Sequence, residues 1–207
     1  MIQENPSRSV DFPAVTLTLC FVTLMASTIP QLAALLEYNR LVILEGEFWR
    51  LFTGHLTHYP GEHLWYNLLA LAVLSGLAER YGRRALIEIL VCSSLAIPLV
   101  LFSFAPEVVV YRGISGILSG LCFYVALRLL GDSMASSCWT TRLWGGAIAT
   151  GLLVVMAVKL VWEAQTGMPF HDLFAKETFQ LVPQAHLAGA LMGVAFTLGW
   201  LPLPHRR

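Results

Sequence analysis

The sequence predicts an all-α membrane protein: six transmembrane helices in one bundle, with a long first loop partly embedded in the bilayer. Three observations lead there. Hydrophobic residues make up 57% of the 207 and charged residues only 13%, against roughly 25% charged in an ordinary soluble domain. Several apolar runs approach the ~20 residues that a helix needs to cross a bilayer. Basic residues also collect on one set of the connections between those runs, as expected for a chain oriented in a membrane. Formal net charge is zero, which gives no electrostatic reason to expect nucleic acid or an acidic partner.

The candidate spans cover about 12–29, 63–79, 85–104, 115–130, 144–162 and 184–201. The first follows a polar stretch, MIQENPSRSVDF, with no convincing small-residue cleavage site, so it reads as a retained span rather than a signal peptide. The second and fourth are short and contain glycine, which suits central helices packed closely on their neighbours. Pro98 predicts a kink in the third. Some thirty residues separate the first two spans, long for a loop. Within them, QLAALLEYN and FWRLFTGHL read as short amphipathic elements lying in the interface plane. Trp49 and Arg50 read there as an interfacial anchor. Cys20, Cys92, Cys122 and Cys138 are scattered, with no pair at metal-ligand spacing, and read as small buried hydrophobes outside any disulfide framework.

With a cytoplasmic N-terminus, the inner side receives Arg8, Arg80, Arg83, Arg84, Arg128, Arg142, Arg206 and Arg207. The outer side receives Arg40, Arg50, Arg112 and Lys176, with Lys159 near the outer end of the fifth span. This bias places both termini inside.

In that topology the second, fourth and sixth spans all begin on the outer side. The second opens with His63 and Asn67, the fourth with Ser115 and the sixth with His186. Ser115 alone would read as a helix-start serine bonded back to its own helix. Polar groups inside a span are costly, however, and three helices bring them to one depth. Serine is a poor nucleophile until a base takes its proton, and histidine has a suitable pKa. Ser115 and His186 are therefore a candidate dyad. His63 and Asn67, spaced i, i+4 on one helical face, could donate to an oxyanion together with the Ser115 backbone N–H. Gly113 and Gly116 leave room for backbone to approach a substrate carbonyl. Gly189 and Gly193 would let the sixth helix close on the fourth, which carries Gly116 and Gly120. Asp132 and Asp172 fall in loops, so a two-residue unit without a buried acid is expected. Lys159 and Glu163 read as an i, i+4 pair near the outer end of the fifth span, worth a few tenths of a kcal/mol if exposed. His55 and His58 read as loop residues facing solvent or headgroups, with no third ligand spaced to make a metal site with them. Ser119, on the face of Ser115, reads as a hydrogen-bond partner or filler. A small transporter fits less well, because neither inverted-repeat symmetry nor a paired acidic midplane site is evident.

Together these residues resemble the rhomboid family of intramembrane serine proteases. The resemblance rests on Trp49–Arg50 before the second span, on His63-x-x-x-Asn67, on the GxSG of Gly113, Ser115 and Gly116, and on AHLAG at His186 and Gly189 followed by Gly193. It covers roughly 48–200, the core of a single domain spanning 1–207. It implies a six-helix bundle with a water-filled cavity opening outward, Ser115 as nucleophile, His186 as base, and His63 and Asn67 as oxyanion donors. Neither cofactor nor metal is implied. The implied partners are the lipid bilayer and a transmembrane protein substrate, entering past the fifth span, and the implied location is a bacterial inner membrane. An inactive relative that binds transmembrane segments is the alternative. Well-studied bacterial rhomboids carry a tyrosine four residues after the serine, stacked on the histidine, where this chain has Ser119. The short form and Gly120 resemble the rhombosortase branch, which processes proteins bearing a C-terminal Gly-Gly sorting tail.

Overall fold

The computed structural model describes residues 12–59, 61–168, 170 and 181–199. The polar N-terminal stretch with Arg8, the loop bearing Asp172 and Lys176, and Arg206–Arg207 lie outside the described residues. In chain order, the elements are α1 (Ala14–Thr28), α2 (Pro30–Leu36), β1 (Tyr38–Asn39), α3 (Arg40–Leu44), α4 (Arg50–Thr53) and a 3-10 turn (Gly54–Leu56). There follow α5 (Glu62–Tyr81), α6 (Arg83–Phe104), β2 (Val110–Tyr111), α7 (Ser115–Ala135), α8 (Trp139–Thr166) and α9 (Pro183–Thr197).

Each of the six apolar runs becomes a helix. Among the described residues, α6, α7 and α8 are long and apolar enough to cross a membrane, and α1 with α2, bent by 107°, makes a fourth if the pair is one span. α5 has the length, but Glu62, His63, Asn67 and Glu79 dilute its hydropathy. The described part of α9 has 15 residues, about 22 Å of helix at 1.5 Å per residue. α6 continues through Pro98 as one helix.

α7 is the axis of the bundle. Its buried side spans Gly116 to Cys122 without interruption and continues through Tyr124, Val125 and Ala126. α9 lies along it, with α5, α6 and α8 around the pair. Leu71 of α5, Leu86, Ile89, Ile97 and Leu101 of α6, Leu121 of α7 and Phe196 of α9 fill the core. The seam between α7 and α9 is made of backbone. A Cβ on Gly116 would sit 2.8 Å from the Ala185 carbonyl oxygen, and one on Gly189 or Gly193 would overlap the Gly116 or Gly120 carbonyl. The expected small-residue contact is therefore present.

At the other end of the bundle, Glu79 caps α1. Its carboxylate accepts from the N–H groups of Val15 and Thr16 at 3.2 and 3.0 Å and from the Thr16 hydroxyl at 2.8 Å. First-turn N–H groups have no partner within their own helix. The start of α1 and the α5–α6 turn therefore share one end of the molecule.

The long loop is built of the short elements its apolar stretches suggested, with Leu35, Leu41, Leu44, Phe48 and Phe52 exposed along it. Trp49 is also exposed, as an interfacial anchor would be. Arg50 corrects that reading. It is buried, and donates to the carbonyls of Ala34 and Glu37 at 2.8 and 3.0 Å while pairing with Glu47. The carbonyls left open at the end of α2 need donors, and Arg50 supplies them from inside the loop.

Candidate active site

Two features place Ser115. β1 and β2 form a two-residue antiparallel bridge, Tyr38 opposite Tyr111 and Asn39 opposite Val110, which fastens the long loop to the segment before α7. Gly113 then takes φ +145°, a conformation that side chains resist. Its N–H donates to the Gly54 carbonyl at 3.3 Å, and its own carbonyl accepts from the Tyr111 hydroxyl at 2.7 Å. Ser115 opens α7 directly afterwards. The first-turn N–H groups there lack intrahelical partners and carry the positive end of the helix dipole.

α9 begins at Pro183, whose missing N–H costs nothing in a first turn. This puts His186 one turn above the glycine seam, facing Ser115. The Ser115 Oγ lies 2.8 Å from His186 Nε2. The expected adjacency is observed.

The expectation that no buried acid stands beside the pair is corrected by Glu163. Its Oε2 lies 2.6 Å from His186 Nδ1 and 2.8 Å from Lys159 Nζ. Glu163 is 1% exposed, so its carboxylate is buried beside the histidine, while Lys159 stays partly exposed. With Nε2 accepting from Ser115, Nδ1 carries the ring proton and donates to Glu163. An ammonium can only donate, so the 3.0 Å approach of Lys159 Nζ to Nδ1 reflects two donors converging on one carboxylate oxygen.

His63 and Asn67 occupy adjacent turns of α5 and line the same cavity as Ser115, Ser119, Lys159, Glu163 and His186, a space of about 270 Å³. One amide proton of Asn67 goes to the His63 carbonyl at 2.8 Å, which leaves the second N–H of that amide for another acceptor. Ser119 donates to the Ser115 carbonyl at 3.0 Å, a bond within the first turn of α7. Gly113 and Gly116 flank Ser115 as read from the sequence. They serve as a backbone bend and as a close contact with α9.

A model of the rhomboid domain matches residues 45–203. The chain belongs to the rhomboid family. Rhomboids are generally serine proteases of the membrane interior that act on transmembrane substrates within the lipid bilayer, and this rhomboid is an integral membrane protein. The matched region runs from the end of α3 through α9 and contains every residue of the cavity wall.

The loop histidines of this rhomboid are also unlike their sequence reading. His55 and His58 are buried, at 2% and 0% exposure. His58 Nε2 accepts the Ile114 N–H at 3.1 Å, with the Ser27 hydroxyl 3.4 Å from Nδ1. His58 therefore braces the residue preceding Ser115. Ser27 also donates to the Thr23 carbonyl at 2.7 Å, so the Ser27–His58 pair is a structural brace. Burial pushes His58 down to about 3, with the neighbouring His63 and His55 adding to it. Burial holds His55 at about 4, opposed by the backbone of Ser94 and Gly113. Ser94 lies four residues before Pro98, the position whose carbonyl a helix proline leaves open.

Proposed function

We propose that this rhomboid is an intramembrane serine endopeptidase that cuts a transmembrane protein in or beside its membrane segment. The observation that carries this is the 2.8 Å contact between Ser115 Oγ and His186 Nε2 on the wall of a cavity. His186 takes the hydroxyl proton as Oγ bonds to the scissile carbonyl carbon. The negative charge that develops on the carbonyl oxygen is met by the second N–H of Asn67, by His63 and by the N–H of Ser115 at the positive end of α7. His186 then returns the proton to the leaving amine, and the C–N bond breaks. Water attacks the ester on Ser115 with His186 again as base, which releases the acid and restores the hydroxyl.

In this function six helices cross the bilayer, and the substrate segment enters past α8. Both termini face the cytoplasm, with a bacterial inner membrane as the setting. Support comes from the arginines at the α5–α6 turn, which shares its end of the bundle with the start of α1. The single domain is 1–207, and neither cofactor nor metal is required. The rhombosortase reading of the substrate, a protein with a C-terminal sorting tail, is favoured by Ser119 and Gly120. The first is turned to its own helix and the second sits against the Gly189 carbonyl, so neither stacks on His186.

A fluorophosphonate probe and a cleavable transmembrane reporter test the function together. Wild type labels and cleaves. Ser115→Ala abolishes both, and His186→Ala slows both by at least about 10³-fold. A wild type that binds the reporter yet neither labels nor cleaves supports the alternative, an inactive rhomboid that holds transmembrane segments. Reporters with and without a Gly-Gly tail, cleaved at equal rates, would remove the rhombosortase reading.

A further inference from the structure

We propose that Glu163, held by Lys159, is the positioning residue of the histidine, so that the site works as a three-helix relay of Ser115, His186 and Glu163. This rests on the protease reading and adds a residue to it. Along the 28 residues of α8, only Ala149 and Glu163 are buried among the described residues. On a span that otherwise faces outward, a carboxylate is costly and is turned toward the bundle interior, where its placement marks a functional group. It is turned onto His186 Nδ1 at 2.6 Å and anchored by Lys159, one helical turn earlier, at 2.8 Å.

The imidazole needs two things to act on Ser115: the proton on Nδ1 rather than Nε2, and a ring plane that points Nε2 at Oγ. A stacked aromatic four residues after the serine could supply the second. Ser119 stands there instead, and its hydroxyl is committed to the Ser115 carbonyl. Glu163 supplies both requirements by accepting the Nδ1 proton from the side opposite Ser115. When His186 takes the serine proton, the new positive charge forms against this carboxylate. Lys159 fixes the carboxylate's rotamer and balances its charge while the imidazole is neutral. Each member comes from a different helix: α7, α9 and α8.

The test is steady-state cleavage of the transmembrane reporter, with kcat and KM separated and the thermal midpoint measured for every variant. Glu163→Gln keeps the size and loses the charge; kcat is expected to fall by at least about 10²-fold with KM within twofold of wild type. Glu163→Asp recovers part of the loss. Because Glu163→Gln leaves the partly exposed Lys159 ammonium without its carboxylate, the double variant Glu163→Gln/Lys159→Met is made beside it, and its kcat falls equally while its midpoint stays near that of wild type. Wild-type kcat in the double variant overturns the inference. So does a loss of fold in both variants, which assigns the pair to structure alone. If Ser115→Ala still cleaves, the protease reading fails instead.

Discussion

Along the α7–α9 seam, glycine backbone meets glycine backbone. Across the cavity, α8 turns most of its length outward and reaches the site through the Lys159–Glu163 ion pair and Met156. The seam sets the distance from Ser115 to His186 with no side chain between the helices, so nothing in it can adjust. The α8 wall sets the third contact through the long side chains of Lys159 and Glu163. A rigid element fixes where the serine and histidine stand, and a mostly exposed element fixes how the ring is turned.

Substitutions can break that contrast, and the largest effect is expected in the seam. Gly189→Ala puts a methyl into the Gly116 carbonyl. Overpacking of this kind costs about 1–3 kcal/mol, and the displacement parts Ser115 from His186, so reporter cleavage falls by about 10²-fold or more. Cleavage near wild type would mean that the seam yields. His58→Ala comes next. It removes the acceptor of the Ile114 N–H and leaves a buried donor open, a loss of about 1–3 kcal/mol. Thermal unfolding in detergent reads the loss, and a drop in fluorophosphonate labelling accompanies it.

A graded effect is expected with pH. His55 and His58, in the loop between α1 and α5, are held near 4 and 3 in the folded protein against 6.5 when unfolded. The unfolded chain therefore binds more protons below pH 6.5. Stability is fully present above that value and is lost as pH falls from 6.5 toward 3. The thermal midpoint should drop between pH 7 and pH 4.5, and His58→Gln should flatten the slope; an unchanged slope would remove His58 from the account. The smallest effect belongs to the outer face of α8. Val154→Ala and Val155→Ala, both 55% exposed, should change stability by no more than about 0.5 kcal/mol.

How much of this was legible varies with the kind of signal. Ser115 and His186 could be paired because each opens an apolar helix, and the glycines beneath them predict a contact made by backbone. Glu163 is hard to single out in the sequence, because an i, i+4 pair with lysine looks like ordinary surface decoration. The signal that could have found it is the cost of two charges inside the apolar run VVMAVKLVWEA. His55 and His58 run against the rule that loop residues face outward, and Arg50 runs against its reading as an interfacial anchor. This loop folds into the protein, and its polar side chains supply the partners that its irregular backbone lacks. The β1–β2 bridge has two residues on each side, too few for any alternation to show. The count of crossings is harder to read still, since α5 owes part of its low hydropathy to His63 and Asn67, which line the cavity.

The glycine seam also decides where traffic cannot pass. Two helices in backbone contact leave no slot between them for a peptide, so the side of the site toward α7 and α9 is closed to an arriving chain. Elsewhere the cavity walls include Tyr66, Ala70 and Leu74 on α5 and Met156 on α8, side chains that can swing aside where a carbonyl cannot. A molecule so built has a fixed back and a soft front. Under the proposed protease function, changes that tune which segments are admitted belong on α5 and α8, and the four glycines are the part left alone.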